Sequence, residues 1–329
     1  MTLRVLFLGG TGIISSACAA LAVERGLDLT VLNRGTTAGK RPLADGVKTL
    51  TGDVRDHAQL RETLQGKDFD VVVDFLAFTP DHVRADIETF TGRVGQYVFI
   101  SSASAYQKPV GHLPITEATP LRNPFWQYSR DKIACEDVLV RAYREDGFPA
   151  VVVRPSHTYD RTSPPVDGGW TVVDRMRRGK PVVVHGDGTS SWVLTHHTDF
   201  AKGFVPLLGN PAVTGDALHI TGDEVLTWDA IHRTLATAAG VSDPQLVHVP
   251  SEVIARDDPA RGEGLLGDKA HSVVFDGTAL KRLVPGFAAT VPFAQGAREI
   301  VAHVDAHPEL QVVDPDVDAR QDRLVERWG

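Results

Sequence analysis

The chain has 329 residues, enough for one large α/β unit or two domains around a sizeable core. At 42% hydrophobic and 23% charged residues it reads as an ordinary globular protein, which excludes a disordered chain, and no membrane-length apolar run or basic-then-apolar leader is present. A net charge of −8 argues against nucleic-acid or anionic-membrane partners, and two cysteines, Cys18 and Cys135, cannot form a disulfide framework, so a cytoplasmic setting is expected.

Residues 3–8 form a short apolar run rich in strand formers, and Gly9-Gly10-Thr11-Gly12-Ile13-Ile14-Ser15 follows at once. Ala17, Ala20, Leu21 and Val23 then predict a helix reaching Arg25 and stopped by Gly26. In this strand–turn–helix context Gly9 permits the tight turn. Gly12 lets the backbone approach a pyrophosphate at the helix N-terminus. Ser15 replaces the third glycine of the spacing and is small enough for helix–strand packing; the alternative is a plain turn of an α/β protein. A second strand over 29–32 ends at Asn33-Arg34-Gly35 without the acid that would hold a ribose 2′-hydroxyl. Arg34, aided by Thr36 or Lys40, would instead accept a 2′-phosphate, which leans towards NADP, or would stack on adenine with NAD bound. A third strand over 47–50 leads to Gly52-Asp53-Val54, where Asp53 either accepts a hydrogen bond from adenine or caps the helix beginning near Asp56. The continuous apolar run 70–75 predicts a buried parallel strand, and small Ala77 just beyond it would let the chain pass close to a cofactor ribose.

Residues 97–100 predict the next strand, with Ser101-Ser102 at its carboxyl end, where ligands sit in open parallel sheets. After a proline-rich loop, a long helix is expected over 126–145, carrying Tyr128, Lys132, Cys135 and Leu139 along one inward stripe. An ammonium four residues from a phenol favours the phenolate, so Tyr128 is expected to titrate below the usual value of about 10 and to exchange a proton with an alcohol or ketone oxygen. A bound ribose would partner the buried Lys132.

With the glycine turn, the strand-end serine and the Tyr128–Lys132 pair in this order, the chain resembles the extended short-chain dehydrogenase/reductase family, the NAD(P)-dependent epimerase/dehydratase group, over nearly its whole length. The resemblance implies a Rossmann-type doubly wound parallel sheet with a smaller C-terminal substrate-binding lobe. The dinucleotide-binding part would span 1–157 and the lobe 158–329, with some segments returning to the sheet. It implies Ser102, Tyr128 and Lys132 as the catalytic set, Lys132 also on the nicotinamide ribose. It further implies that Gly9, Gly12, Ile13, Ile14, Asn33, Arg34, Asp53, Val54, Ala77 and Pro155 line NAD or NADP. Arg154-Pro155, Gly186-Asp187-Gly188 and 196–199 match downstream landmarks. Asn33-Arg34-Gly35 and 271–276 look most like an atypical subgroup that includes chloroplast stem-loop-binding relatives, which tend to lack the Tyr–Lys pair kept here. A homodimer is expected through the helices near 81–90 and 126–145.

Two departures bear on substrate. His157 stands where sugar-nucleotide members carry Asn, and Trp192 stands roughly where an Arg grips a diphosphate. The substrate is therefore expected to be a polyol, free sugar, nucleoside or other glycoside without a diphosphate, touching Ser102, Ala103, Ser104, His157 and Trp192; the alternative puts Trp192 in the core and gives the phosphate to Arg161 or Arg175. Ala103-Ser104 replaces the Asp-Glu pair of the dehydratases, which disfavours water elimination. Hydride transfer at a secondary alcohol or ketone remains. The outcome is epimerisation if the cofactor stays and ketone reduction if it exchanges. A non-catalytic nucleotide- or RNA-binding member is the competing class, against which the intact catalytic set and acidic charge argue.

Beyond 158, helices are expected over 170–178, 199–208 and 228–239, strands over 181–184 and 218–220, and an exposed amphipathic helix over 314–327. The loops 158–169 and 257–268 are expected to be lids or surface connections. Thirteen histidines include His185, His196 and His197, but no metal-ligand spacing, so no metal is expected.

Overall fold

The computed structural model describes residues 2–35 and 41–329. The first half alternates strand and helix: β1 (Arg4–Leu8), α1 (Ile13–Glu24), β2 (Asp28–Asn33), β3 (Lys48–Thr51), α2 (His57–Thr63), β4 (Val71–Asp74), α3 (Pro80–Phe90), β5 (Gln96–Ile100), α4 (Gln127–Asp146) and β6 (Ala150–Pro155). The second half adds β7 (His157–Tyr159), α5 (Trp170–Arg177), β8 (Val182–His185), β9 (Ser191–Trp192), β10 (Leu194–His196), α6 (His197–Phe204), β11 (Ala217–Ile220), β12 (Leu226–Thr227), α7 (Trp228–Ala238) and β13 (Leu246–Val249). It closes with α8 (Ser251–Asp257), α9 (Pro259–Gly264), α10 (Thr278–Leu283), α11 (Phe293–Ala306) and α12 (Pro315–Trp328).

The central sheet has seven strands in the order β11-β6-β5-β4-β1-β2-β3, every pairing parallel. This is the doubly wound α/β arrangement that the family resemblance implied. Both faces are covered, so alternate residues of one strand enter different cores. Val5 and Phe7 pack with Cys18, Phe200 and Phe204, whereas Leu6 and Leu8 pack with Val83, Cys135 and Leu139. That two-sided burial is why β1, β4 and β6 read as unbroken apolar runs. The strand order reverses between β1 and β4, which opens a crevice at their carboxyl ends.

The second half does two jobs. β11 returns to the central sheet beside β6, while β7–β10 and β8–β13 form small pairs around a separate core that includes Trp192, Trp228, Ile231 and Ile300. Three expectations change here. Residues 257–268 are not an irregular loop: α9 and a π-helical turn, Leu265–Lys269, occupy most of them. The C-terminal helix α12 is amphipathic but not simply exposed, because it packs on β8, β13 and α5, burying Val317 and Leu324. Arg175 is fully buried and donates to Asp318 and the carbonyl of Pro181, so it is not available for a substrate phosphate. Its partner helix α12 lies far along the sequence, and its docking could not be read locally.

Candidate active site

A cleft of about 710 Å³ lies at the β1/β4 reversal, bordered by Gly9, Gly12, Ile14, Asn33, Arg34, Asp53 and Val54 among others. Its geometry fits a dinucleotide. Gly9 has φ +86°, a conformation side chains rarely adopt, and a Cβ on Gly10 would lie 2.5 Å from Val31 Cγ1. The turn therefore presses against β2 while its open side faces the cleft. α1 begins directly after Gly12, with no acidic residue in its first turn, so its N-terminal dipole is left for an anion. Ser15 Oγ accepts the Gly12 N–H at 2.9 Å, which gives the replaced third glycine a specific task at the helix start.

The adenosine end is shaped by local bonds. Asn33 Oδ1 accepts the Gly35 N–H at 2.9 Å, and Arg34 stands exposed at the rim with no carboxylate partner among the described residues. Thr36 and Lys40 lie outside the described residues. Arg41 borders the same cleft, although the sequence reading did not single it out; Asp160 and Thr162 of the lobe hold its guanidinium. Asp53 accepts the Arg55 N–H, and it is Asp56, not Asp53, that caps α2 through Gln59. Ile13 and Ala77 do not border the cleft. Ala77 is fully buried beneath it, and Pro155 borders a different cavity.

That second cavity, of about 230 Å³, is bordered by Ser102, Ala103, Ser104, Tyr128, Pro155, His157 and Trp192, together with Trp126, Asp268 and Lys269. It meets the cleft where Phe78 and Ile100 of one adjoin Tyr128 and Ser102 of the other; the rings of Phe78 and Tyr128 are 6.4 Å apart. Tyr128 sits in the first turn of α4, whose start is pinned by buried Asn123. Asn123 Oδ1 accepts from the N–H groups of Phe125 and Trp126, while its amide donates to the carbonyls of Ser104 and Gly267 at 2.9 and 2.7 Å. One side chain thus joins the serine loop, the tyrosine helix and the π-helical turn. Nothing in the local pattern marked it.

The catalytic candidates are more tightly woven than their spacing showed. Ser102 Oγ lies 2.9 Å from Ser104 Oγ, which lies 2.7 Å from buried Ser129 Oγ, making a chain of hydroxyls beside Tyr128. Lys132 is almost wholly buried and donates to the carbonyls of Ala77 and Ile100 at 2.7 and 2.8 Å, so two of its three N–H bonds are already used. Burial lowers its pKa to about 8. The expected downward shift of Tyr128 is not found: burial raises its pKa, with the neighbouring Ser102 hydroxyl opposing and Asp268 adding to the rise. The ammonium stands 5.7 Å from the phenol's ring centre, and in this dry site desolvation outweighs it. Beneath β5 and β6, Ser101 donates to Glu136, which pairs with Arg154, itself bonded to the Tyr106 hydroxyl. None of these four residues borders the chamber, and their buried network braces the strand ends.

His157 and Trp192 are neighbours. The indole N–H donates to His157 Nδ1 at 3.0 Å, so a neutral His157 carries its proton on Nε2. Burial pushes His157 down to about 3, which keeps it neutral. Trp192 packs on Trp228 with ring centres 5.2 Å apart and is only 3% exposed, so the expected stacking platform is largely spent in the core. The more open ring is Trp126, 4.8 Å from that of Tyr128.

A seven-stranded parallel sheet in this order, a glycine turn at the crevice, and a Ser, Tyr and Lys gathered at the neighbouring strand end define an extended short-chain dehydrogenase/reductase. The model of the NAD dependent epimerase/dehydratase family matches residues 5–92 and 88–220, and the chain belongs to that family. Among curated relatives, a 2′-dehydrokanamycin reductase of Streptomyces kanamyceticus is 26% identical over 87% of this chain and 80% of its own length. A chloroplast stem-loop binding protein of 41 kDa from Arabidopsis thaliana is 25% identical over 74% of this chain and 65% of its own. A UDP-glucose 4-epimerase of Lactobacillus helveticus is 30% identical, but over 46% of this chain and 51% of its own. For these last two, less than two thirds of the relative is spanned. The fold is shared with the dTDP-glucose 4,6-dehydratase DesIV of Streptomyces venezuelae, solved with NAD (TM-score 0.74, 22% identity, 93% of this chain and 98% of that one). Among the described residues no group of His, Cys, Asp or Glu could hold a metal ion, and no helix is long and apolar enough to cross a membrane.

Proposed function

We propose that this protein is an NAD(P)-dependent oxidoreductase or epimerase acting at a secondary alcohol, or the matching ketone, of a sugar-like substrate without a diphosphate. The observation that carries the reading is the meeting of the Tyr128 phenol and the Ser102–Ser104–Ser129 hydroxyl chain at the boundary between a dinucleotide-shaped cleft and a small chamber. A bound nicotinamide would supply or accept the hydride. Tyr128 passes a proton to or from the substrate oxygen, and Ser102 holds that oxygen by a hydrogen bond. The raised Tyr128 pKa keeps the phenol protonated in the free site, the form that donates to a ketone oxygen. The long match to a 2′-dehydrokanamycin reductase supports reduction as the direction. Ala103 and Ser104 leave the chamber without the acid–base pair of the dehydratases. Arg34, the cation at the end of β2 not already claimed by a carboxylate, supports NADP as the cofactor.

The test is Tyr128→Phe. NADPH consumption with a panel of sugar ketones should fall by about 10²–10⁴-fold, while cofactor binding followed by nucleotide fluorescence persists. Unchanged turnover, or a wild-type protein that binds no dinucleotide, would overturn the proposal and favour a non-catalytic binding role like that named for the chloroplast relative.

A further inference from the structure

A third cavity, of about 270 Å³, lies in the lobe and shares His157 and Lys269 with the chamber at Tyr128, so the two cavities adjoin at those residues, the waist between them. Its charges are nearly all spoken for. Arg320 and Arg261 each pair with Asp167 and Asp258, at 2.8 to 3.2 Å. Asp268, on the Tyr128 side, has the buried Lys108 ammonium 3.4 Å away. His157 and His185 are neutral, pushed by burial to about 3 and about 4, and burial lowers His232 as well. Lys269 remains. Among the described residues its ammonium has no carboxylate partner and rests only near the Trp126 ring, 5.7 Å from the centre.

Lys269 is also unusually well anchored. Its carbonyl accepts from His185 Nε2 at 3.0 Å and from the Trp228 indole at 3.1 Å. Two residues earlier, Gly267 allows the π-helical turn to lie against Trp126, where a Cβ would come within 2.6 Å of the Trp126 Cβ. The backbone is fixed while, among the described residues, neither the ammonium nor the His157 Nε2–H has a hydrogen-bond partner.

We infer that Lys269 is the substrate's charge-recognition residue, and that the substrate carries a single oxyanion, a carboxylate or a phosphate monoester, held at the waist by the Lys269 ammonium and the His157 Nε2–H. The inference rests on the sugar-like alcohol or ketone reading given above and narrows it. A diphosphate would bring more negative charge than one free cation answers, since Arg261 and Arg320 are already neutralised. A polyamine would place like charge against Lys269. A carboxylate or phosphate one ring away from the reacting carbon leaves Tyr128 and Ser102 free for the chemistry.

The experiment is equilibrium binding by intrinsic tryptophan fluorescence, because Trp126, Trp192 and Trp228 line this space. The probes are glucuronate, galacturonate, glucose 6-phosphate, glucose, glucosamine and UDP-glucose, with NADH and NADPH titrated separately. Wild-type protein is expected to bind at least one singly acidic sugar tenfold or more tightly than glucose. Lys269→Gln should erase that preference and Lys269→Arg should keep most of it, with NADH binding and thermal melting as checks on folding. Preference for glucuronate or galacturonate identifies a carboxylate, and preference for glucose 6-phosphate a monoester. The inference is overturned if no acidic sugar binds better than glucose, if Lys269→Gln retains the preference, or if glucosamine or UDP-glucose binds best. Failure of both NADH and NADPH to bind would count against the oxidoreductase reading alone, since the charge preference is read without cofactor.

Discussion

Lys132→Met isolates the cost of holding an ammonium beneath the site. In the folded protein burial brings Lys132 from the usual 10.5 down to about 8, with the carboxylates of Asp74 and Glu136 opposing and the charge of Arg55 assisting. The unfolded chain has no such burial and keeps its proton up to about 10.4. Between those values the unfolded state binds more protons than the folded one, so this group makes stability rise with pH across that window and contributes no slope below it. At about 1.4 kcal/mol per pH unit, the whole window is worth about 3 kcal/mol. Methionine keeps the stem and removes the titration; it also strands the carbonyls of Ala77 and Ile100, a loss independent of pH. The assay is urea unfolding of both proteins from pH 6.5 to 10.5. Wild-type stability minus that of Lys132→Met should be flat to about pH 7.5 and then climb by about 3 kcal/mol by pH 10.5. Parallel curves across the whole range would refute the burial argument, and with it the claim that desolvation governs the Tyr128–Lys132 pair.

Gly10→Ala drives a methyl into Val31, with contacts at 2.5 and 2.8 Å, and should cost about 1–3 kcal/mol in chemical unfolding, with Val31→Ala restoring most of it in the double variant. Arg154→Leu leaves the Glu136 carboxylate buried and unpaired, and should cost about 3–5 kcal/mol; replacing Glu136 by Leu as well should recover much of the loss, and a fully additive double variant would contradict a coupled pair. Arg34→Ser should weaken NADPH binding tenfold or more while shifting NADH by less than twofold; equal effects on both would assign Arg34 to adenine instead of a 2′-phosphate.

The readable parts of this chain were those governed by short-range pattern. The β1–Gly9–α1 unit, the Val-rich β4 and β6, the strand-end Ser102 and the Tyr128–Lys132 spacing were all legible because strand burial, turn conformation and helix periodicity act over a few residues. What stayed hidden depended on partners distant in sequence. Asn123 gains meaning from Gly267, and Lys269 from Arg261 and Arg320 being paired elsewhere. The π-helical turn that offers Asp268 and Lys269 to the chamber lies in a stretch whose glycines and prolines looked like a loop.

The titration of the site followed the same division. The spacing of Tyr128 and Lys132 determined that a phenol and an ammonium share one helix face, and the composition of the strands determined that this face would be buried. Only the packing of Phe78, Phe99 and Trp126 around them decided which influence prevails. A charge effect can be inferred from neighbours along the chain, but the loss of water depends on every atom that closes over the group, and those atoms come from separate stretches of sequence.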